Sequence, residues 1–266
     1  MSKRWEFTDL EFRVLWERFV GRRLPGPLTF RSDIEKLDDF EHAKFETWDR
    51  LQPTVDPALR EILPMIQRPE VFVRVRAWRD DDRENPQEWI RIRAARSDAR
   101  GYLIVQHPGR TQRHASGYTL IDCGPHGLAD GIVELLPQVG AGRHSGIALR
   151  NTEVPGTEDD WHRPRSLVSE DVEYADAYDH DRFFGIPAIK TGTITLHQGQ
   201  SSFGPRGLIE HSMLWRDLPD DGRYLIELPS DSPTAVGVSA RELSDRIDAW
   251  LDKLHSRVEN HWEVQG

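Results

Sequence analysis

Cys123 and His126 stand three residues apart, near enough in sequence for a thiolate–imidazole pair. A nucleophilic cysteine also needs a group that orients the histidine and donors for an oxyanion. The sequence supplies neither, and a small buried hydrophobe is the plainer reading. Asp176, Asp179, His180 and Asp181 gather carboxylates beside an imidazole, a donor set suited to calcium or magnesium. The EF-hand spacing and its turn glycine are missing, and a solvated acidic helix end or loop accounts for the cluster. Gly140, Gly142 and Gly146 form G-x-G-x-x-x-G, one residue longer than the dinucleotide fingerprint, with no apolar strand before it. They read as a connector. No G-x-S-x-G, Walker A, H-E-x-x-H or paired C-x-x-C occurs. The expectation is a protein that is not an enzyme and that uses no cofactor and no metal.

Residues suited to binding are better placed. Val71, Val73, Val75 and Ala77 alternate with Phe72, Arg74, Arg76 and Trp78, and after a charged turn Trp89, Arg91 and Arg93 alternate with Ile90, Ile92 and Ala94. Successive side chains of a strand point to opposite faces. If the valines and isoleucines face a core, Arg74, Arg76, Arg91 and Arg93 line the other face beside Phe72, Trp78 and Trp89. The turn carries Asp80, Asp81, Asp82, Arg83 and Glu84, five charges in succession. Three explanations stand open. An acidic helix folds over the arginines; or this is a partner surface, since Trp, Phe and Arg are enriched at interfaces; or it takes single-stranded nucleic acid by stacking beside arginine. Lys plus Arg total 35 against 45 Asp plus Glu, a net charge of −10, which speaks against a general nucleic-acid binder.

The elements that would position this hairpin follow from spacing. Thr8 and Glu11 form a capping box before Leu10, Val14, Leu15 and Phe19, and Gly21 closes that helix. Leu24-Pro25-Gly26-Pro27-Leu28 must run extended. A second helix is predicted from Ser32 or Asp33 through Leu51, and a third from Asp56-Pro57 to before Pro69, kinked or shortened at Pro64. After the hairpin, strands are expected over 101–105 and 118–121, then a helix on Leu128, Ile132, Leu135 and Leu136. The order recurs: strands over 193–196, 208–215, 223–227 and 235–238 precede a helix capped by Ser239 with Glu242 at N3. Leu128 and Leu136 meet Leu243 and Leu251 at a common offset. Duplication explains this better than chance likeness of two amphipathic helices. The chain is therefore expected to be one domain of 266 residues with two similar subdomains, 1–139 and 140–266, joined by a long surface connection beginning at Gly140.

With 37% hydrophobic residues and nine Trp, a chain of this length buries roughly 70 to 75% of its unfolded surface. Disorder is excluded for most of it. The single cysteine, the lack of a signal-peptide pattern and the absence of an 18-residue apolar run point to a cytoplasmic protein with no membrane span.

The ordered set of motifs resembles a known family. Thr8-Asp9-Leu10-Glu11-Phe12-Arg13-Val14-Leu15-Trp16, then Leu24-Pro25-Gly26-Pro27-Leu28, Val55-Asp56-Pro57-Ala58-Leu59, Gly192-Thr193-Ile194-Thr195-Leu196, Trp215-Arg216-Asp217-Leu218-Pro219 and Gly222-Arg223-Tyr224-Leu225 span nearly the whole chain. This pattern is similar to the EspG proteins, chaperones of ESX (type VII) secretion in mycobacteria and related actinobacteria. The resemblance implies an α+β fold, a central antiparallel β-sheet flanked by helices, with two halves related by a pseudo-two-fold. It implies a protein that binds the helical tip of a PPE-like subunit in a PE-PPE heterodimer or a related ESX substrate, keeps it soluble and directs it to its secretion system. The hairpin loop, here residues 80–88, is part of the family's binding surface. Partner contacts are accordingly expected from Arg74, Arg76, Trp78, Asp80, Asp81, Asp82, Arg83, Glu84, Trp89, Arg91 and Arg93, with a weak homodimer admitted and no nucleic acid. The alternative is a nucleic-acid-associated adaptor that uses the arginine and tryptophan face.

Overall fold

The computed structural model describes residues 3–150, 174–199 and 208–263. An edge strand β1 (Arg4–Thr8) leads directly into α1 (Asp9–Phe19), where Thr8 and Glu11 make the reciprocal capping box expected of them. The strand alternates Arg4, Glu6 and Thr8 with Trp5 and Phe7, a pattern too short to stand out beside the helix that follows, and it pairs with residues 117–121. Helix α2 (Leu37–Leu51) begins later than the spacing predicts. Ser32 Oγ instead accepts the Ile34 N–H at 3.0 Å, a local turn that competes with helix. Helix α3 (Leu59–Gln67) starts after a turn in which Asp56 Oδ1 accepts the Ala58 N–H, and it runs through Pro64. The helical bond that proline cannot make would have gone to the Arg60 carbonyl.

The first meander follows as β2 (Val71–Trp78), β3 (Ile90–Ser97), β4 (Arg100–Pro108) and β5 (Ala115–Asp122), then α4 (Leu128–Glu134). Leu135 and Leu136, predicted as helical, form the turn that closes α4. The connector contributes β6 (Ile147–Ala148), and the region left unassigned by sequence contributes α5 (Tyr174–Gly185). The second meander is β7 (Lys190–Gln198), β8 (Glu210–Leu218), β9 (Gly222–Leu228) and β10 (Thr234–Gly237), followed by α6 (Ala240–Glu263). Residues 151–160 of the expected connection and the glycine-rich turn after β7 lie outside the described residues.

The ten strands among the described residues join in one antiparallel sheet, in the order β1-β5-β4-β3-β2-β7-β8-β9-β10-β6. One face carries Val71, Val73, Val75, Ala77, Ile92, Ala94, Ile194, Leu196, Met213 and Trp215, and onto it pack Leu128, Ile132 and Val133 of α4 with Leu243, Ile247, Leu251 and Leu254 of α6. On the other face two separate apolar layers form. Phe12, Leu15 and Trp16 of α1 with Leu59, Ile62, Leu63 and Ile66 of α3 cover Ala95, Tyr102, Ile104, Tyr118 and Leu120. Phe183 with Ala188 and Leu149 covers Leu214, Leu218, Tyr224 and Ile226. Between these layers lies the polar strip of β2, β3 and β7.

The connector is more than a loop. Gly142 donates to the Arg223 carbonyl at 2.9 Å, and β6 pairs with β10, so residues after 140 extend the sheet edge. A Cβ at Gly142 would meet the Tyr224 ring at 2.3 Å, which is the physical need for glycine there.

Candidate partner surface

The alternation on β2 and β3 places the arginines as the sequence predicts, opposite the buried valines. The register sets Arg74 across from Arg93 and Arg76 across from Arg91, with Thr195 and Thr193 of β7 on the other flank. Arg93 is only 4% exposed. Its guanidinium lies 3.7 Å from the centre of the Phe72 ring, which itself stacks on His197 at 4.5 Å. Burial, reinforced by Arg74, pulls the Arg93 pKa down to about 9. Burial also holds the His197 imidazole below its usual range, against the opposing pull of Glu210 at 3.3 Å. Among the described residues, Arg93 meets the Gly26 carbonyl of the extended Pro-rich segment at 3.5 Å.

The hairpin end is ordered by its own chemistry. Trp78 is 5% exposed, so it belongs to the interior and not to the open face expected of it. Its ring lies 5.7 Å from that of the half-buried Trp89, and Arg83 caps it at 4.7 Å. Trp89 Nε1 donates to the Arg83 carbonyl at 2.8 Å, and Arg91 lies 4.8 Å from its ring. Asn85 accepts the Gln87 N–H and donates to Asp82 Oδ2 at 2.9 Å, which nucleates the single 3₁₀ turn Pro86–Glu88. Gln87 and Gln112 each donate across to the neighbouring loop, to the carbonyls of Gly109 and Arg83.

The five successive charges do not share one role. Asp81 pairs with Arg79 through two hydrogen bonds of 2.6 and 3.2 Å, and Arg79 holds its carboxyl below the ordinary range. Asp81, Asp82, Arg83 and Glu84 are exposed. Asp80 turns inward, where its Oδ2 accepts from Arg216 Nη2 at 2.8 Å and from the Ala188 N–H at 2.9 Å. It is an internal tie, a correction to its expected place on the rim. Glu88 makes a second tie, to Lys190 Nζ. Through these ties the loop abuts the segment between α5 and β7, where Ile186 and Ile189 are 36% and 42% exposed. Sequence reasoning missed those isoleucines because the segment carries no periodicity.

A second region also escaped the sequence: a groove of about 610 Å³ between β8–β10 and α6, lined by Ile209, His211, Leu225, Val236, Trp250 and Leu254. His211 stacks on Trp250 at 3.6 Å and lies 3.4 Å from Glu227. Burial keeps its imidazole below the usual pKa.

The other residues considered for chemistry fall into place. Burial, then Asp122 and Glu134, raise the Cys123 thiol to about 11, so it carries no thiolate at neutral pH. Asp181 pairs with Arg150 at 2.6 Å, while the side chains of Asp176 and Asp179 lie outside the described residues. Among the described residues no group of three or more His, Cys, Asp or Glu is placed to hold a metal ion, and no helix is long and apolar enough to cross a membrane.

A broad antiparallel sheet with helices on both faces and a charged, internally tied hairpin loop at one end describes an α+β protein. Residues 8–249 match the profile of the EspG family, and the chain belongs to that family. The fold is similar to that of the Mycobacterium tuberculosis type VII secretion system chaperone EspG5, solved in complex with the PE25-PPE41 dimer, with a TM-score of 0.56 and 10% identity over 91% of this chain and 93% of that one. A search of curated proteins finds no match.

Proposed function

We propose that this protein is a cytoplasmic chaperone of type VII secretion that binds the helical tip of a PPE-like subunit in a PE-PPE-type heterodimer, keeps it soluble and directs it to its secretion system. Family membership across residues 8–249 carries this reading, and the fold shared with a chaperone captured on such a dimer supports it. The contacts fall to the hairpin end. Asp81, Asp82, Arg83 and Glu84 form a rim, Trp89 and Arg91 supply aromatic and cationic area, and Arg74, Arg76 and Arg93 back them along the strip. Trp78 contributes by supporting Trp89.

The same reading treats the chain as one domain with two subdomains, 1–139 and 140–266, related by a pseudo-two-fold. Outward from the β2–β7 pair the strands run β3, β4, β5 on one side and β8, β9, β10 on the other, each series ending in a helix on the same face. The second hairpin turn of each meander holds an aspartate in the left-handed region, Asp98 at φ 49° and Asp220 at φ 57°, a conformation aspartate tolerates better than most residues. Leu128 and Leu243 both lie buried in the closing helices.

Co-expression with a panel of PE-PPE-type pairs, followed by affinity capture and size-exclusion chromatography, tests the function. Recovery of a stoichiometric complex is expected. A chaperone that recovers no pair and leaves each pair's solubility unchanged overturns it. A salt titration of the captured complex separates the nucleic-acid alternative, whose phosphate contacts weaken steeply with salt.

A further inference from the structure

We infer that Arg216 is a positioning residue that sets the shape of the hairpin loop, clamping residues 79–89 to the segment 183–190. The inference deepens the proposed function and rests on it for the use of the loop. Arg216 sits on β8, in the other meander from the loop, and is 3% exposed. Its guanidinium sends Nη2 to Asp80 Oδ2 at 2.8 Å and to the Ile186 carbonyl at 2.6 Å, Nη1 to the Phe183 carbonyl, and Nε toward Thr191 Oγ1 at 3.4 Å. The rings of Phe183 and Phe184 lie 5.2 and 5.1 Å from it. The planar fork thus touches a carboxylate of one segment and two carbonyls of the other, a pattern the single point charge of lysine cannot reproduce.

Asp80 completes the clamp from its side. Its carboxylate accepts the Ala188 N–H, its own N–H donates to the Ala188 carbonyl at 3.3 Å, and Lys190 reaches the carbonyl and carboxylate of Glu88 at the far end of the loop. Both ends of the loop are therefore fastened to the same short segment. The exposed rim of Asp81, Asp82, Arg83 and Glu84 and the exposed Ile186 and Ile189 form one preset surface. A surface fixed before binding spends less of its interaction energy on ordering.

Hydrogen exchange on the free protein tests the clamp without any client, using Asp80→Asn, Arg216→Lys and Arg216→Met. In Asp80→Asn, amides of residues 79–89 and 183–190 should exchange about tenfold faster, while those of Leu214, Trp215 and Leu225 stay as in wild type. Arg216→Lys keeps a charge for Asp80 and loses the fork to the carbonyls, so 183–190 should loosen more than 79–89. Arg216→Met should loosen both. Unchanged exchange in Asp80→Asn and Arg216→Lys overturns the inference, as does exchange that rises across the whole sheet. Capture of a PE-PPE-type pair retained by the wild type supplies the second arm, with dissociation about tenfold faster in Asp80→Asn expected if the preset loop is the contact. If Asp81→Lys/Asp82→Lys holds the pair as well as wild type, the reading of the loop as the contact fails while the exchange result still judges the clamp. If that double variant loses the pair and Asp80→Asn does not, the clamp has no part in binding and the reading stands.

Discussion

The two meanders share their order of strands and helix yet set their buried arginines against different neighbours. In β8 and β9, Arg216 and Arg223 are buried, and each meets a carboxylate: Asp80 for the first and Asp217, through 2.7 and 2.9 Å bonds, for the second. In β2 and β3, the register places arginine opposite arginine twice, and the buried member, Arg93, rests on an aromatic ring and a backbone carbonyl. Like charges directly across a sheet repel, and here they sit side by side along the strip. The second meander uses arginine to build the fold.

The sharpest way to break this comparison is to remove one buried cation. Arg223→Met leaves Asp217, which has no exposure, without its partner and frees the Pro137 carbonyl, so a loss of about 3 to 5 kcal/mol in chemical denaturation is expected. Arg91→Met, at a half-buried side chain beside Trp89, should cost clearly less than Arg223→Met. Equal losses would erase the distinction between the meanders.

Trp89→Ala comes next. As a binding anchor it should cost about 2 kcal/mol in client affinity by calorimetry. A loss of melting temperature comparable to that of Arg223→Met, with affinity intact, would place Trp89 with the interior instead. Asp81→Lys/Asp82→Lys should slow association with a captured client and leave the melting temperature near wild type, because both side chains are exposed. Kinetics by surface plasmon resonance reads this, and an unchanged association rate would remove the rim.

The smallest effect belongs to the edge strand that extends the first meander. Asp56 accepts from Trp5 Nε1 at 2.8 Å and pairs with Lys3 at 2.5 Å; the Lys3 contact, then the Ala58 N–H and Trp5, lower its pKa to about 2. A depressed carboxylate contributes stability above its unfolded pKa of about 4 and loses it as pH falls toward its folded value. Asp56→Asn should cost under about 1 kcal/mol at pH 7, since Lys3 is well exposed and screened. The gap between variant and wild type should close between about pH 4 and pH 2 in urea titrations. A gap that persists at pH 2 would mean that the hydrogen-bond geometry, and not the charge, holds β1.

What the sequence determined by itself was whatever neighbours within a few residues decide. The capping boxes at Thr8–Glu11 and Ser239–Glu242 form because donor and acceptor sit three residues apart. The faces of β2 and β3 follow from strict alternation, and the repeat of meander and helix was visible in the spacing of leucines. Tertiary structure decided what depends on distant partners. Strand β1 exists through residues 117–121, α2 starts late because a serine turn wins locally, and α5 has too little periodicity to announce itself. Asp80 and Asp81 are adjacent and identical in type, yet one points to solvent and the other to Arg216, 136 residues away. No local pattern separates them, because the energy that does so is the cost of leaving a buried guanidinium without a carboxylate.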